Sequence, residues 1–125
     1  MFVIEADRSK RLMVISYSAR VTAEEAKCAG ERVNQLLCDF KPGFRVLTDM
    51  RWLQSMEAAA AAHSAEIMKA VAARKVAMIV RVVPDPSKDI GFNILSLFHY
   101  DDSVKIFTFD TLADAVRTLA ADLDD

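Results

Sequence analysis

The chain has 125 residues, 53% of them hydrophobic, with 16 basic and 18 acidic side chains mixed along it for a net charge of −2. That length suits a single domain, residues 1–125, able to bury roughly two thirds of the surface its unfolded chain exposes without help from a metal or a disulfide. The unblocked, near-neutral charge argues against nucleic acid as a partner, and no apolar stretch approaches the ~20 residues of a membrane span.

Residues 1–6 are already strand-like, with no basic segment leading into an apolar run and a small-residue cleavage site. A cytoplasmic protein is therefore expected. Cys28 and Cys38 fall on one predicted helix, about 15 Å apart along its axis and beyond disulfide reach. Reduced thiols are expected there.

Two apolar runs, 2–6 and 11–17, flank Asp7-Arg8-Ser9-Lys10 and predict an antiparallel hairpin. Thr22-Ala23-Glu24-Glu25 has the form of a capping box and starts a helix. The apolar stripe of that helix is Ala26, Ala29, Val33, Leu36, Leu37 and Phe40, and Lys41-Pro42-Gly43 stops it. A third strand over 44–50 closes on Asp49 and leads through a joint, Arg51 to Met56, into an alanine-rich helix over about 57–74. The stripe of this helix is Ala60, Ser64, Ile67, Met68 and Val71.

Strand four, 75–83, is apolar at both parities, the pattern of a central strand covered on both faces. Pro84-Asp85-Pro86 ends it, and Ser87 is placed to cap a short helix carrying Ile90, Ile94, Leu97 and Phe98. Strand five, 104–109, runs into Asp110 as an N-cap and a last helix with Leu112, Val116, Leu119 and Leu123 at helical spacing. The order is β-β-α-β-α-β-α-β-α: an α/β domain with an N-terminal antiparallel hairpin followed by a mostly parallel five-stranded sheet and four helices.

Chemistry-bearing patterns are few. With Val46 set beside Met78, the register brings Asp49 next to Arg81 at the carboxyl edge of strands three and four, where open α/β sheets bind ligands. That pair is either an anchor for a polar ligand, with Arg51 assisting, or a structural ion pair. His63 and His99 are the only histidines, and neither has a Cys or a second His three or four positions away. No zinc site, catalytic residue or cofactor is expected from them. The three glycines are too scattered for a phosphate cradle, and no Gly-x-Ser-x-Gly is present. The bulky residues Trp52, Met56, Phe92, Leu95 and Phe98 are either core or the wall of a greasy pocket or interface.

The element order, with Val46-Leu47-Thr48-Asp49 running through Arg51-Trp52-Leu53 into a helix, Val76 to Val80, and Phe109-Asp110 opening a last helix, resembles the STAS fold of anti-sigma-factor antagonists. It looks closest to the STAS/SEC14-like bacterial branch. Phospho-regulated STAS proteins carry an acid, a Ser or Thr acceptor and a glycine at the start of the helix after such a strand. Transferred from Asp49, that pattern places Glu57 at the acid and Ala58, Ala59 and Ala60 where the hydroxyl and glycine would stand, so the phosphoacceptor is missing. The resemblance implies a non-enzymatic regulatory module that binds a protein partner, itself as a homodimer included. The expected surface is Asp49, Arg51, Trp52, Ser55, Glu57 and Arg81. The SEC14-like side of the resemblance implies the alternative, a small apolar molecule or lipid held near Trp52, Met56, Phe92, Leu95 and Phe98.

Overall fold

Alternation in residues 12–17 sends Met13, Ile15 and Tyr17 into one core and Leu12 and Val14 toward another, and this two-sidedness organises the molecule. The computed structural model describes residues 1–83, 100 and 103–124. Strands β1 (Phe2–Asp7), β2 (Leu12–Val21), β3 (Arg45–Met56), β4 (Met78–Val82) and β5 (Lys105–Phe109) form one sheet in that spatial order. β1 and β2 are antiparallel, and the later neighbours are all parallel. The expected hairpin and mostly parallel sheet are both present.

The expectation of four helices is not matched. Three are found among the described residues, α1 (Ala23–Leu37), α2 (Ala60–Ala73) and α3 (Leu112–Asp124). The helix expected after Ser87 lies outside the described residues. No described helix is long and apolar enough to cross a membrane.

α1 and α2 pack on one face of the sheet, over Met13, Ile15, Tyr17, Val46 and Ile79. α3 covers the other face, where Leu47, Met78, Val80 and Val82 meet Ala115 and Leu119. β4 is therefore buried along its whole length, as its apolar residues at both parities require. The buried stripes of α1 and α2 follow the expected spacing, including Ser64 at 2% exposure. In α3, Leu112 and Leu119 pack on the core as expected, but Ala115 is buried in place of Val116, which is 49% exposed.

Local chemistry fixes the element ends. Asp7 accepts from the Ser9 hydroxyl at 2.7 Å and the Lys10 N–H at 3.1 Å, which shapes the β1–β2 turn. Thr22 Oγ1 accepts from the Glu25 N–H at 3.1 Å and donates to the Glu25 carboxylate at 3.2 Å, so the capping box is formed. Gly43 holds φ at +90°, a left-handed conformation open to glycine, and its N–H donates to the Lys75 carbonyl at 2.8 Å. At α3 the cap is Thr111 rather than the expected Asp110: Thr111 Oγ1 accepts from the Asp114 N–H at 3.3 Å and donates to the Asp114 carboxylate at 2.9 Å. Thr111 thus serves as the side-chain cap of the last helix.

Arg45, 3% exposed, is a buried charge at the first position of β3. Its Nη1 donates to the Leu119 carbonyl at 2.8 Å and its Nη2 to the Lys10 carbonyl at 2.6 Å, while Nε lies 3.6 Å from Asp122. One guanidinium therefore ties β3, the β1–β2 turn and the carboxyl end of α3 together. A cation there also meets the negative end of the helix dipole.

Candidate functional site

β3 does not end at Asp49. Residues 51–56, expected as a joint, continue the strand and pair with the far half of β2, from Ser18 opposite Trp52 to Val21 opposite Met56. Between Ser16–Asp49 and Val21–Met56, β3 uses two residues more than β2, one at each of two register shifts. These are bulges, and each turns the following side chains by one position. Met50, Leu53 and Met56 consequently all reach the core under α1 and α2 at intervals of three rather than two. Opposite the second shift, Ala19 takes φ 55°.

The first bulge builds the site. Asp49, 8% exposed, accepts from the Arg51 N–H at 3.1 Å. Its Oδ1 also takes Arg51 Nε at 3.0 Å, and Oδ2 takes Nη2 at 2.9 Å, a fork-to-fork pair. This hydrogen bonding raises the pKa of Arg51 above its ordinary value. The same guanidinium lies 5.6 Å from the centroid of the Trp52 ring, within cation–π range. Trp52 is 67% exposed. Three consecutive contacts thus hold a large aromatic face in solvent on a rigid strand.

The expected Asp49–Arg81 pair is not formed. Val46 lies opposite Ile79 rather than Met78, which sets Asp49 opposite Val82 and Thr48 opposite Arg81. A slip of one residue moves a side chain to the other face of the sheet. Asp49 is accordingly on the α3 face, and Arg81 on the face under α2. There Arg81 is 2% exposed and lines a cavity of about 30 Å³ with Tyr17, Thr48, Ser64 and Tyr100. Burial pushes both tyrosine hydroxyls well above their ordinary pKa, against a smaller downward pull from the Arg81 guanidinium.

Of the other expected site residues, Ser55 is exposed on the β3 extension opposite Arg20. Glu57 is half-buried, but it is not at the helix start as expected. Its N–H donates to the Val21 carbonyl at 2.9 Å and its carbonyl accepts from Ala60, making a turn before α2 begins at Ala60. The first turn of α2 holds no acid and no side-chain cap. Met56 is half-buried against the α1–α2 core, 4.0 Å from the Ser64 hydroxyl. Phe92, Leu95 and Phe98, like His99, lie outside the described residues. His63 is half-buried on α2, across the sheet from Asp49. Among the described residues no three His, Cys, Asp or Glu side chains gather as a metal site would require.

The fold aligns over nearly its full length with three solved structures. An uncharacterised protein from Shewanella loihica PV-4 with a SpoIIAA-like fold matches at a TM-score of 0.71 and 13% identity, covering 95% of this chain and 92% of its own. The anti-sigma factor antagonist SpoIIAA in its unphosphorylated form matches at 0.61 and 10%, covering 97% and 98%. An anti-sigma factor antagonist from Mycobacterium paratuberculosis matches at 0.58 and 15%, covering 96% and 93%. The chain has a STAS-domain-like fold. No family model matches the sequence, and no curated protein does. In this STAS-like domain the bulged carboxyl half of β3 carries Trp52, and the turn before α2 carries Glu57 followed by five alanines.

Proposed function

We propose that this protein is a non-enzymatic regulatory module that binds a partner protein through the carboxyl half of β3, with Trp52 at the centre of the contact. The observation that carries this reading is the pre-positioned indole: Trp52 is 67% exposed, on a strand, beside an Arg51 fixed by Asp49. Trp and Arg are the residues that most often dominate binding energy at protein interfaces, and a rigid strand lowers the ordering cost of docking. Two of the structural neighbours are named anti-sigma factor antagonists, which agrees with a protein partner.

The module works without a phosphate switch at the start of α2, since residues 58–62 are all alanine. Ser55 and Glu57 border the docking surface rather than gate it. Both cysteines are exposed and free, which suits the reducing cytoplasm in which the protein acts.

Affinity capture with the wild-type domain, followed by a Kd for the captured protein, tests the proposal. Trp52→Ala is expected to weaken that Kd by at least about thirtyfold, the loss of roughly 2 kcal/mol at an interface hot spot. Stability in urea should change by less than about 0.5 kcal/mol, as for other exposed positions. A partner that binds Trp52→Ala as tightly as wild type overturns the assignment.

A further inference from the structure

Among the described residues β1 is the end strand of the sheet, and its pairing with β2 fixes which of its backbone groups face outward. The Met1 nitrogen donates to the Ser18 carbonyl at 2.7 Å, and the Ser18 N–H donates back to the Met1 carbonyl at 2.9 Å. Met1 and Ser18 are therefore a pair that exchanges both bonds. Such pairs alternate along an antiparallel ladder, and the β1–β2 register continues unbroken from Phe2 opposite Tyr17 to Asp7 opposite Leu12. Val3, Glu5 and Asp7 consequently face β2, while Phe2, Ile4 and Ala6 turn their N–H and C=O groups outward. That row of donors and acceptors repeats about every 7 Å, the two-residue step of a strand.

Next to this row lies a groove of about 700 Å³ between β1 and α1. Phe2, Ile4 and Ala29 give it an apolar floor, and its charged lining is Glu24, Glu25 with the Met1 amine paired to it, and Arg32. The strand and helix run in the same direction along it: Met1 sits 2.8 Å from Glu25 near one end, and Arg8 sits 2.9 Å from Asp39 beyond the other. Glu24 and Arg32 are two helical turns apart, about 12 Å, so the groove has an acidic end and a basic end.

We propose that this groove binds an extended segment of a partner protein as an added strand against β1. The outward backbone row requires an extended chain, the mode in which main-chain bonds give affinity and alternate side chains give specificity. The floor requires apolar residues at alternate positions. The two ends require a basic residue near Glu24 and an acidic residue near Arg32. A second copy of β1 is a poorer occupant, because its charges, Glu5 and Asp7, are both acidic and bring nothing to meet Glu24.

The probes are two acetylated, amidated heptapeptides whose odd positions all face the groove, Lys-Thr-Val-Thr-Val-Thr-Glu for parallel addition and Glu-Thr-Val-Thr-Val-Thr-Lys for antiparallel addition. One of them is expected to slow amide hydrogen exchange at Phe2, Ile4 and Ala6 while Val3 and Glu5 stay as they are. Ala6→Pro removes an outward N–H and no bond to β2, and should weaken that peptide about tenfold with the Val3 and Glu5 amides still protected. Arg32→Glu should weaken it about threefold and favour a peptide with both ends basic. Trp52→Ala should leave it unchanged, so this site and the β3 surface stand or fall separately. The proposal is overturned if neither peptide protects the three amides at millimolar concentration, or if Ala6→Pro and Arg32→Glu both bind as wild type. It is equally overturned if those amides are already protected in the free protein and lose protection on dilution, which would make a second copy the occupant.

Discussion

Tyr17 lies in β2 at 4% exposure, its ring centroid 4.5 Å from that of Phe2, beside the cavity that also holds Arg81 and Tyr100. Burial holds its hydroxyl protonated well above the ordinary value of 10.0. The folded pKa is raised, so the stability this group lends is complete below pH 10 and falls as pH rises, because the unfolded chain releases its proton first. Each such tyrosine should steepen the loss by about 1.4 kcal/mol per pH unit above that point. Urea unfolding of wild type and Tyr17→Phe between pH 9 and 11 is expected to show a shallower decline in the variant by one tyrosine's share; equal slopes would contradict its burial. Short-range residue chemistry was largely legible in the sequence. Thr22 and Glu25 are three positions apart, and their reciprocal bonds need no other part of the chain. The cap of α3 was displaced from Asp110 to Thr111 because both have capping side chains and only the backbone path selects one. Arg45 carries a signal in the sequence, since an arginine between Phe44 and Val46 must find partners if it is buried there.

Among the elements, α3 depends most on a single distant residue. Arg45 bonds the Leu119 and Lys10 carbonyls, and its fork reaches both at once. Arg45→Met keeps the bulk but leaves both carbonyls without that donor, so a loss of about 2–4 kcal/mol is expected, from charged hydrogen bonds worth about 1.5–3 kcal/mol each, less compensation by water. Amide exchange should rise first in the last turn of α3, and Arg45→Lys should restore only part of the loss because an ammonium lacks the planar fork. Unchanged protection in α3 would show that the clamp is dispensable. The stripes of α1 and α2 were readable from periodicity. The extension of β3 was not, because two bulges convert its two-residue repeat into the three-residue spacing of Met50, Leu53 and Met56, which resembles neither a strand nor a helix.

At the scale of the whole molecule the sheet is a partition. Asp49 and Arg81 belong to opposite cores, one under α3 and one under α2. A double-mutant cycle with Asp49→Asn and Arg81→Met should therefore be additive to within about 0.5 kcal/mol in urea unfolding. A coupling of several kcal/mol would mean that the two side chains share a face. The succession of strands and helices along the chain, the apolar character of β4 and the absence of a hydroxyl at residues 58–62 are properties of local sequence, and the chain by itself determined them. Which face each polar residue occupies was decided only by the tertiary structure. Shifting two parallel strands by one residue preserves much of the apolar pattern of a strand buried on both sides, so nothing local distinguishes Val46 opposite Met78 from Val46 opposite Ile79. Packing of α1, α2 and α3 against the two faces makes that choice, and with it Arg81 becomes a core residue while Arg51 and Trp52 are left at the surface.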